Sequence, residues 1–300
     1  MSKIAIVTDS NSGISQKQAE ELGAFVVAMP VIIDDKTYYE GVDIDRQDFY
    51  AKLSQDCNVS TSQPLPGDLG MLWTDILETY DEIVYIPMSS SLSRSYETAV
   101  ILSNEFHDRV HVVNNQRISL TQRQSVIDAL DMADGDISAV KIKERLERDK
   151  LKASIYISLN TLKYLKKGGR ITPAVAAIGS LLKIKPVLQI QGGLLDSFAK
   201  ARTMKSAKKI MIKQIQDDIE NRFNGQENEV LLQIAHTFED KEAEILKEEV
   251  SARFPGHSIY LDYLPLSIAC HLGPGALALV AIKKLKIESH IDEKIKSQAL

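Results

Sequence analysis

The chain has 300 residues, 44% of them hydrophobic and 26% charged, which suits a globular protein long enough for two cores. Its formal net charge is −5 and no long basic block offsets it, so phosphate backbones find no general attraction and nucleic acid is excluded as an expected partner. Cys57 and Cys270 lie far apart with no C-x-x-C or Cys/His spacing, which argues against a disulfide framework or a zinc site and fits a reducing compartment.

The opening Met-Ser-Lys runs straight into a strand-like stretch without a leader, and the longest apolar runs, 174–182 and 275–282, are too short to span a bilayer. The expectation is a cytoplasmic protein that does not cross a membrane. Short β-branched runs alternate with longer amphipathic ones, which predicts an α/β fold. Residues 4–8 read as a strand, 15–22 as a helix and 24–31 as a second strand. Asp45 is a candidate N-cap ahead of Phe49, Tyr50 and Leu53. Asp68 is expected to cap and open a helix whose apolar residues Leu69, Leu72, Trp73, Ile76, Leu77 and Tyr80 recur at helical spacing. A strand at 83–86, a helix at 96–106 and a strand at 110–113 follow, and a charged helix within 137–152 leads out of this first, largely parallel unit, 1–152.

A second alternation fills 153–300: a strand at 153–157, a helix at 159–165, an alanine-rich helix at 173–182, and two extended runs around the hairpin signal Gly192-Gly193. A long helix at 206–223, a strand at 230–235, a helix at 241–250 and strands at 258–261 and 276–282 complete it. No repeat of fixed period and no low-complexity segment interrupts the chain.

In open parallel sheets, ligands gather beyond the carboxyl ends of strands. Here those ends are hydroxyl-rich: Thr8-Asp9-Ser10, then the serines of 89–95, then Asn114-Asn115. Capping accounts for one serine of 89–95 and does not need all five, so the cluster is either a helix cap or a site where hydroxyls and free backbone N–H groups at a helix start converge on an anion. Thr61 and Ser62 sit in a loop stiffened by Pro64 and Pro66, which is either a rigid turn or a binding loop. The run Lys166-Lys167-Gly168-Gly169-Arg170 is basic and glycine-rich, yet it lacks the P-loop pattern, and no G-x-G-x-x-G follows a strand, so no nucleotide is implied. His271, at the break Leu272-Gly273-Pro274-Gly275, is either a satisfied core group or a cation or donor for a ligand carboxylate, and His236 shares that ambiguity beside Thr237-x-x-Asp240, a capping-box pattern. His107 and His111 have helical spacing but no carboxylate pattern around them, so no metal is expected. The apolar helix at 173–182 is core or the wall of an apolar channel.

Together, Ile6-Val7-Thr8-Asp9-Ser10, Thr61-Ser62-Gln63-Pro64-x-Pro66-Gly67-Asp68, Ser90-Ser91-Leu92-Ser93-x-Ser95-Tyr96, Leu165-Lys166-Lys167-Gly168-Gly169-Arg170-Ile171, Arg202 and His271-x-Gly273-Pro274-Gly275 resemble the DegV family of bacterial fatty-acid-binding proteins over nearly the whole chain. That resemblance implies a two-domain α/β protein with a long-chain fatty acid, and no cofactor or metal, bound between the domains. It assigns Thr61 and Ser93 to the carboxylate, places Ser62, His271 and Arg170 in the surrounding polar network, and marks Arg202 as a contact for a partner, a fatty acid kinase serving phospholipid synthesis. Arg94 stands where the family usually has glycine, Leu272 where it often has threonine, and Asn114-Asn115 where an Asp-Ser pair is common; Arg94 either adds a positive charge beside the carboxylate or changes the backbone there.

Burial of about fifteen methylenes at roughly 0.8 kcal/mol each supplies on the order of 12 kcal/mol before ordering costs, so capture needs neither a metal nor a covalent bond. The rival function is an acyl- or phosphoryl-transfer enzyme using a serine of 89–95, against which stand the missing G-x-S-x-G elbow and the absence of an assigned base. A regulatory or structural two-domain protein is the third.

Overall fold

The computed structural model describes residues 2–55, 57–173 and 184–285. The run at 174–182, where the alanine-rich helix is expected, lies outside the described residues.

Strands β1 (Ile4–Asp9), β2 (Phe25–Val27), β6 (Glu82–Ile86) and β7 (Val110–Val112) form a parallel sheet in the order β2-β1-β6-β7. Its strands are short and almost continuously apolar because both faces are buried. Alternate residues divide between those faces. Ala5, Val7, Ile83 and Tyr85 meet helices α3 (Pro66–Ile76) and α4 (Ser95–Ser103) through Leu69, Trp73, Ile76 and Ala99. Ile6, Val84 and Ile86 meet α1 (Gln16–Leu22), α5 (Leu120–Asp134) and α6 (Ala139–Arg148) through residues such as Ala19, Val126 and Ile142.

The expected strand at 24–31 is two strands in different sheets. After β2 the chain leaves the parallel sheet, with Met29 N–H donating to Ser10 Oγ, and Pro30 starts β3 (Pro30–Ile33). Proline has no N–H to extend the first ladder, and here it opens a second. β4 (Lys36–Tyr39) and β5 (Val59–Thr61) flank β3 in a small antiparallel sheet, and α2 (Arg46–Ser54), capped by Asp45 as expected, packs on it through Phe49, Tyr50 and Leu53. Asp68 does not cap α3. Pro66 occupies the first helical turn, where its missing N–H costs nothing, so the helix starts earlier, after Leu65.

The second half builds a six-stranded sheet from β8 (Ala153–Ser158), β9 (Lys185–Ile190), β10 (Asp196–Ala201), β11 (Val230–His236), β12 (Tyr260–Tyr263) and β13 (Leu277–Lys283), in the order β10-β9-β8-β13-β11-β12. All neighbours are antiparallel except β11 and β12, and the turn at Gly192-Gly193 does join an antiparallel pair. On one face Leu277, Leu279 and Ala281 pack with Met211, Ile215 and Leu246 of α8 (Met204–Asn221) and α9 (Asp240–Arg253). On the other, Ala278, Val280 and Ile282 of the same strand join Ile155, Ile157 and Leu188 in a cluster with Met29, Met88, Leu92 and Ile118 of the first half. This sheet therefore turns one apolar face toward the loops that end the parallel strands.

Two short helices complete that meeting: α7 (Lys163–Gly168) and α10 (Leu266–Leu272). α10 was not legible as a helix because every residue of it but His271 is buried, leaving no polar stripe to mark the period. Thr237 is not a helix cap either. Its Oγ1 donates to the Gly273 carbonyl at 2.7 Å and accepts from Ala276 N–H at 2.8 Å, fastening β11 to the turn after α10.

Candidate functional site

Thr61, Ser62, Ser93, His271 and Arg170, drawn from four separate segments, line one cavity of about 500 Å³. Each is delivered by a local feature. Thr61 ends β5, whose register against Val31 fixes it, and Ser62 follows with its hydroxyl on the Gln63 carbonyl at 3.0 Å. Ser93 lies in the serine loop ahead of α4, where its Oγ accepts from Ser95 N–H at 3.2 Å and shares a 2.7 Å hydrogen bond with Ser95 Oγ. The loop itself is tied down by Ser89 N–H on the Arg117 carbonyl, by Ser90 on Asn114, and by Met88 N–H on the Asp9 carboxylate at 2.8 Å.

His271 sits in the last turn of α10, with Nε2 and Thr61 Oγ1 sharing a hydrogen bond of 2.9 Å. Two glycines bring it there. A Cβ on Gly168 would fall 2.4 Å from His271 Nδ1, so only glycine lets α7 end against the imidazole. Gly273, at φ +72° with a would-be Cβ 2.2 Å from the Tyr164 ring, lets the chain turn out of α10 flush against the same helix. Burial, reinforced by the Arg170 guanidinium, pushes the His271 imidazole down to about 4. The ring is therefore neutral at pH 7 and acts as a hydrogen-bonding group, not as a cation. Arg170 is exposed, donates to the Gly168 carbonyl, and supplies positive charge at the rim.

Arg94 supplies the second. It lines the same cavity next to Ser93, and its backbone (φ −82°, ψ 9°) lies in a region open to any residue, so it adds charge without strain. No aspartate or glutamate lines the cavity among the described residues, so its polar end suits an anion. Asn11 and Ser267, which the sequence reading did not single out, also line it. Ser267 Oγ donates to Asn11 Oδ1 at 2.7 Å, and Asn11 is held in turn by the buried Asp9. Asp9 accepts from Asn11, Gln122 and Met88, bonds that oppose the rise burial imposes on its carboxyl, and it belongs to the scaffold, not to the cavity wall.

Beyond Ile118, Leu195, Ile268 and Leu272, which line both spaces, lies a second cavity of about 50 Å³ over the apolar face of the large sheet. Ile155, Ile157, Ile190 and Val280 form its floor, and Ser119 is its single polar lining residue among those described. The combined space thus grades from hydroxyls and guanidinium groups to aliphatic side chains. Arg202 is not part of it. It follows the end of β10 opposite to Leu195, about 20 Å of strand away, and is exposed. Among the described residues there is no group of three or more His, Cys, Asp or Glu placed to hold a metal, and no helix is long and apolar enough to cross a membrane.

A protein-family model described as the uncharacterised DegV family matches residues 3–284. A DegV domain-containing protein of Listeria innocua is 32% identical over 281 residues, covering 92% of this chain and 97% of that one, and protein DegV of Bacillus subtilis is 29% identical over 279 residues, covering 92% and 98%. Among solved structures, a DegV family protein from Thermus thermophilus described by its fatty acid binding superposes with a TM-score of 0.86 at 29% identity, over 94% of this chain and 99% of that one. DegV of Bacillus subtilis, described as a fatty acid binding protein, superposes with a TM-score of 0.84 at 28% identity, over 95% and 100%. The six motifs, the α/β architecture and these matches agree over nearly the whole length: this chain belongs to the DegV family.

Proposed function

We propose that this protein binds one long-chain fatty acid at the junction of two α/β units, 1–152 and 153–300. The observation that carries the reading is the grading of the cavity, from a mouth with Thr61, Ser93 and two arginines to a wall around Ile157 and Val280 that is aliphatic but for Ser119. Relatives described as fatty acid binding, at 28–29% identity, support it. Thr61 and Ser93 donate to the carboxylate, Ser62 and His271 complete the polar network, and Arg170 and Arg94 balance its charge. Binding selects the Nε2–H tautomer of His271, which donates to Thr61 Oγ1 and frees the threonine hydrogen for the carboxylate. The acyl tail lies against the large sheet.

The Thr61–His271 pair has the spacing of a nucleophile and its base, which is the one feature that favours acyl transfer. The chemistry runs the other way. A ring pushed down to about 4 is a weak base at neutral pH, and Gly168, not a carboxylate, lies against its Nδ1. The serines of 89–95 have other serines, Asn114 or backbone groups as partners, none of them a base. The protein is thus a cytoplasmic carrier that presents its fatty acid to a separate ATP-dependent fatty acid kinase, with Arg202 on the contact surface. The test has two stages. Native mass spectrometry of purified protein is expected to find one fatty acid per chain, and loaded protein mixed with a bacterial fatty acid kinase and ATP is expected to yield acyl phosphate, less of it for Arg202→Ala at equal loading. Protein that stays lipid-free after incubation with long-chain acids contradicts binding, and acyl phosphate formed without the kinase contradicts the carrier role.

A further inference from the structure

Polar chemistry lies next to the apolar cavity, across three isoleucines. Ile155 and Ile190 are register partners on β8 and β9, and with Ile118 they line both the second cavity and a third of about 10 Å³, room for about one water. All three isoleucines are buried. The third cavity changes character: Gln116, Arg117, Thr121 and Lys150 are among its lining residues. Arg117 is 5% exposed. Its Nη1 donates to Ser125 Oγ at 3.1 Å and its Nη2 to the Asp149 carbonyl at 3.0 Å, while its Nε has no partner among the described residues. The buried guanidinium that helps line this water-sized space thus carries an N–H that needs an oxygen.

We infer that Ile118, Ile155 and Ile190, with the polar chamber behind them, form the stop that sets how long an acyl chain this protein takes. The inference rests on the fatty-acid reading above. A methyl-terminated chain gains apolar contact with each methylene until it reaches the isoleucines. One methylene further it must push hydrocarbon into a chamber whose arginine N–H then loses any water partner, so added length stops contributing. A chain that ends in an oxygen meets the opposite situation, because its terminal hydroxyl can accept from Arg117.

Dissociation constants measured on delipidated full-length protein with saturated acids from about C10 to C20 read this directly. Affinity is expected to rise roughly fourfold per methylene up to a break and then to level or fall. Ile155→Ala, which trims the wall to a methyl group, is expected to move the break to acids longer by roughly two carbons. A 1:1 profile that keeps rising with no break, or a break that stays in place in Ile155→Ala, overturns the stop. Should Ile155→Ala fail to fold, the parent protein decides alone through ω-hydroxy acids. The terminal hydroxyl should weaken binding of chains shorter than the break and strengthen, by about tenfold, the first chains longer than it. Weakening at every length overturns the inference. An absence of binding at all lengths is a different result, since it contradicts fatty-acid binding itself.

Discussion

Thr61→Val is expected to weaken fatty-acid binding by roughly ten- to a hundredfold while lowering the stability of the lipid-free protein by only about 1 kcal/mol. Valine keeps the β-branched shape that β5 requires and removes only the hydroxyl. A hydrogen bond to a charged acceptor contributes about 1.5 to 3 kcal/mol, which sets that range. The His271 imidazole, which shares the 2.9 Å bond with Thr61, loses its partner in the same change. Ser93→Ala is expected to weaken binding on the same scale, with a stability loss of about 1 kcal/mol besides, because Ser93 Oγ also accepts from Ser95 N–H at the start of α4. His271→Ala should cost affinity too, but less than additively with Thr61→Val, since the imidazole acts through the threonine. Titration of delipidated variants with a long-chain acid gives all of these values. Parental affinity in both Thr61→Val and Ser93→Ala would place the carboxylate elsewhere.

Acidification supplies the second large effect. His271 titrates near 4 in the folded protein, against about 6.5 for an exposed histidine. Between those values the unfolded chain binds a proton that the folded chain does not, so stability falls as pH drops through that window. Above about pH 6.5 the group contributes no pH dependence, and below about 4 its contribution levels off. The loss amounts to about 3 kcal/mol, read as the difference between the denaturation curves of the parent and His271→Gln. His236, also lowered by burial, adds a loss of the same sign in both proteins, whereas Asp9, raised by burial, changes stability in the opposite direction. Because His271 is neutral throughout pH 6 to 8, carboxylate affinity is expected to stay flat there. A several-fold gain on going from pH 7.5 to 6 would mean that a histidine cation holds the ligand.

Legibility of the sequence followed the range of the interactions. Elements with a clear period, such as the helix carrying Leu69, Trp73 and Ile76, and turns with strong local chemistry, such as Asp45 and Gly192-Gly193, read correctly. The small sheet around Pro30 and the helix that carries His271 did not, because one depends on a proline moving the chain between ladders and the other has no polar face. The polar end of the cavity is visible in the sequence as hydroxyl residues at strand ends, and the motifs group Thr61, Ser62, Ser93, Arg170 and His271, all of which line it. Their joining is a long-range event: Thr61 and His271 are 210 residues apart in sequence. The aliphatic end was less legible, since Ile155, Ile157 and Val280 are indistinguishable from ordinary strand core until the second half of the chain turns that face toward the first.

A crystal structure of the protein loaded with a long-chain fatty acid brominated near its methyl end tests lipid binding in this cavity most directly. The anomalous bromine peak is expected over Ile157 and Val280, with the carboxylate within hydrogen-bond distance of Thr61 Oγ1 and Ser93 Oγ. Bromine at the Arg94–Arg170 mouth, or lipid bound only outside these two cavities, would contradict it.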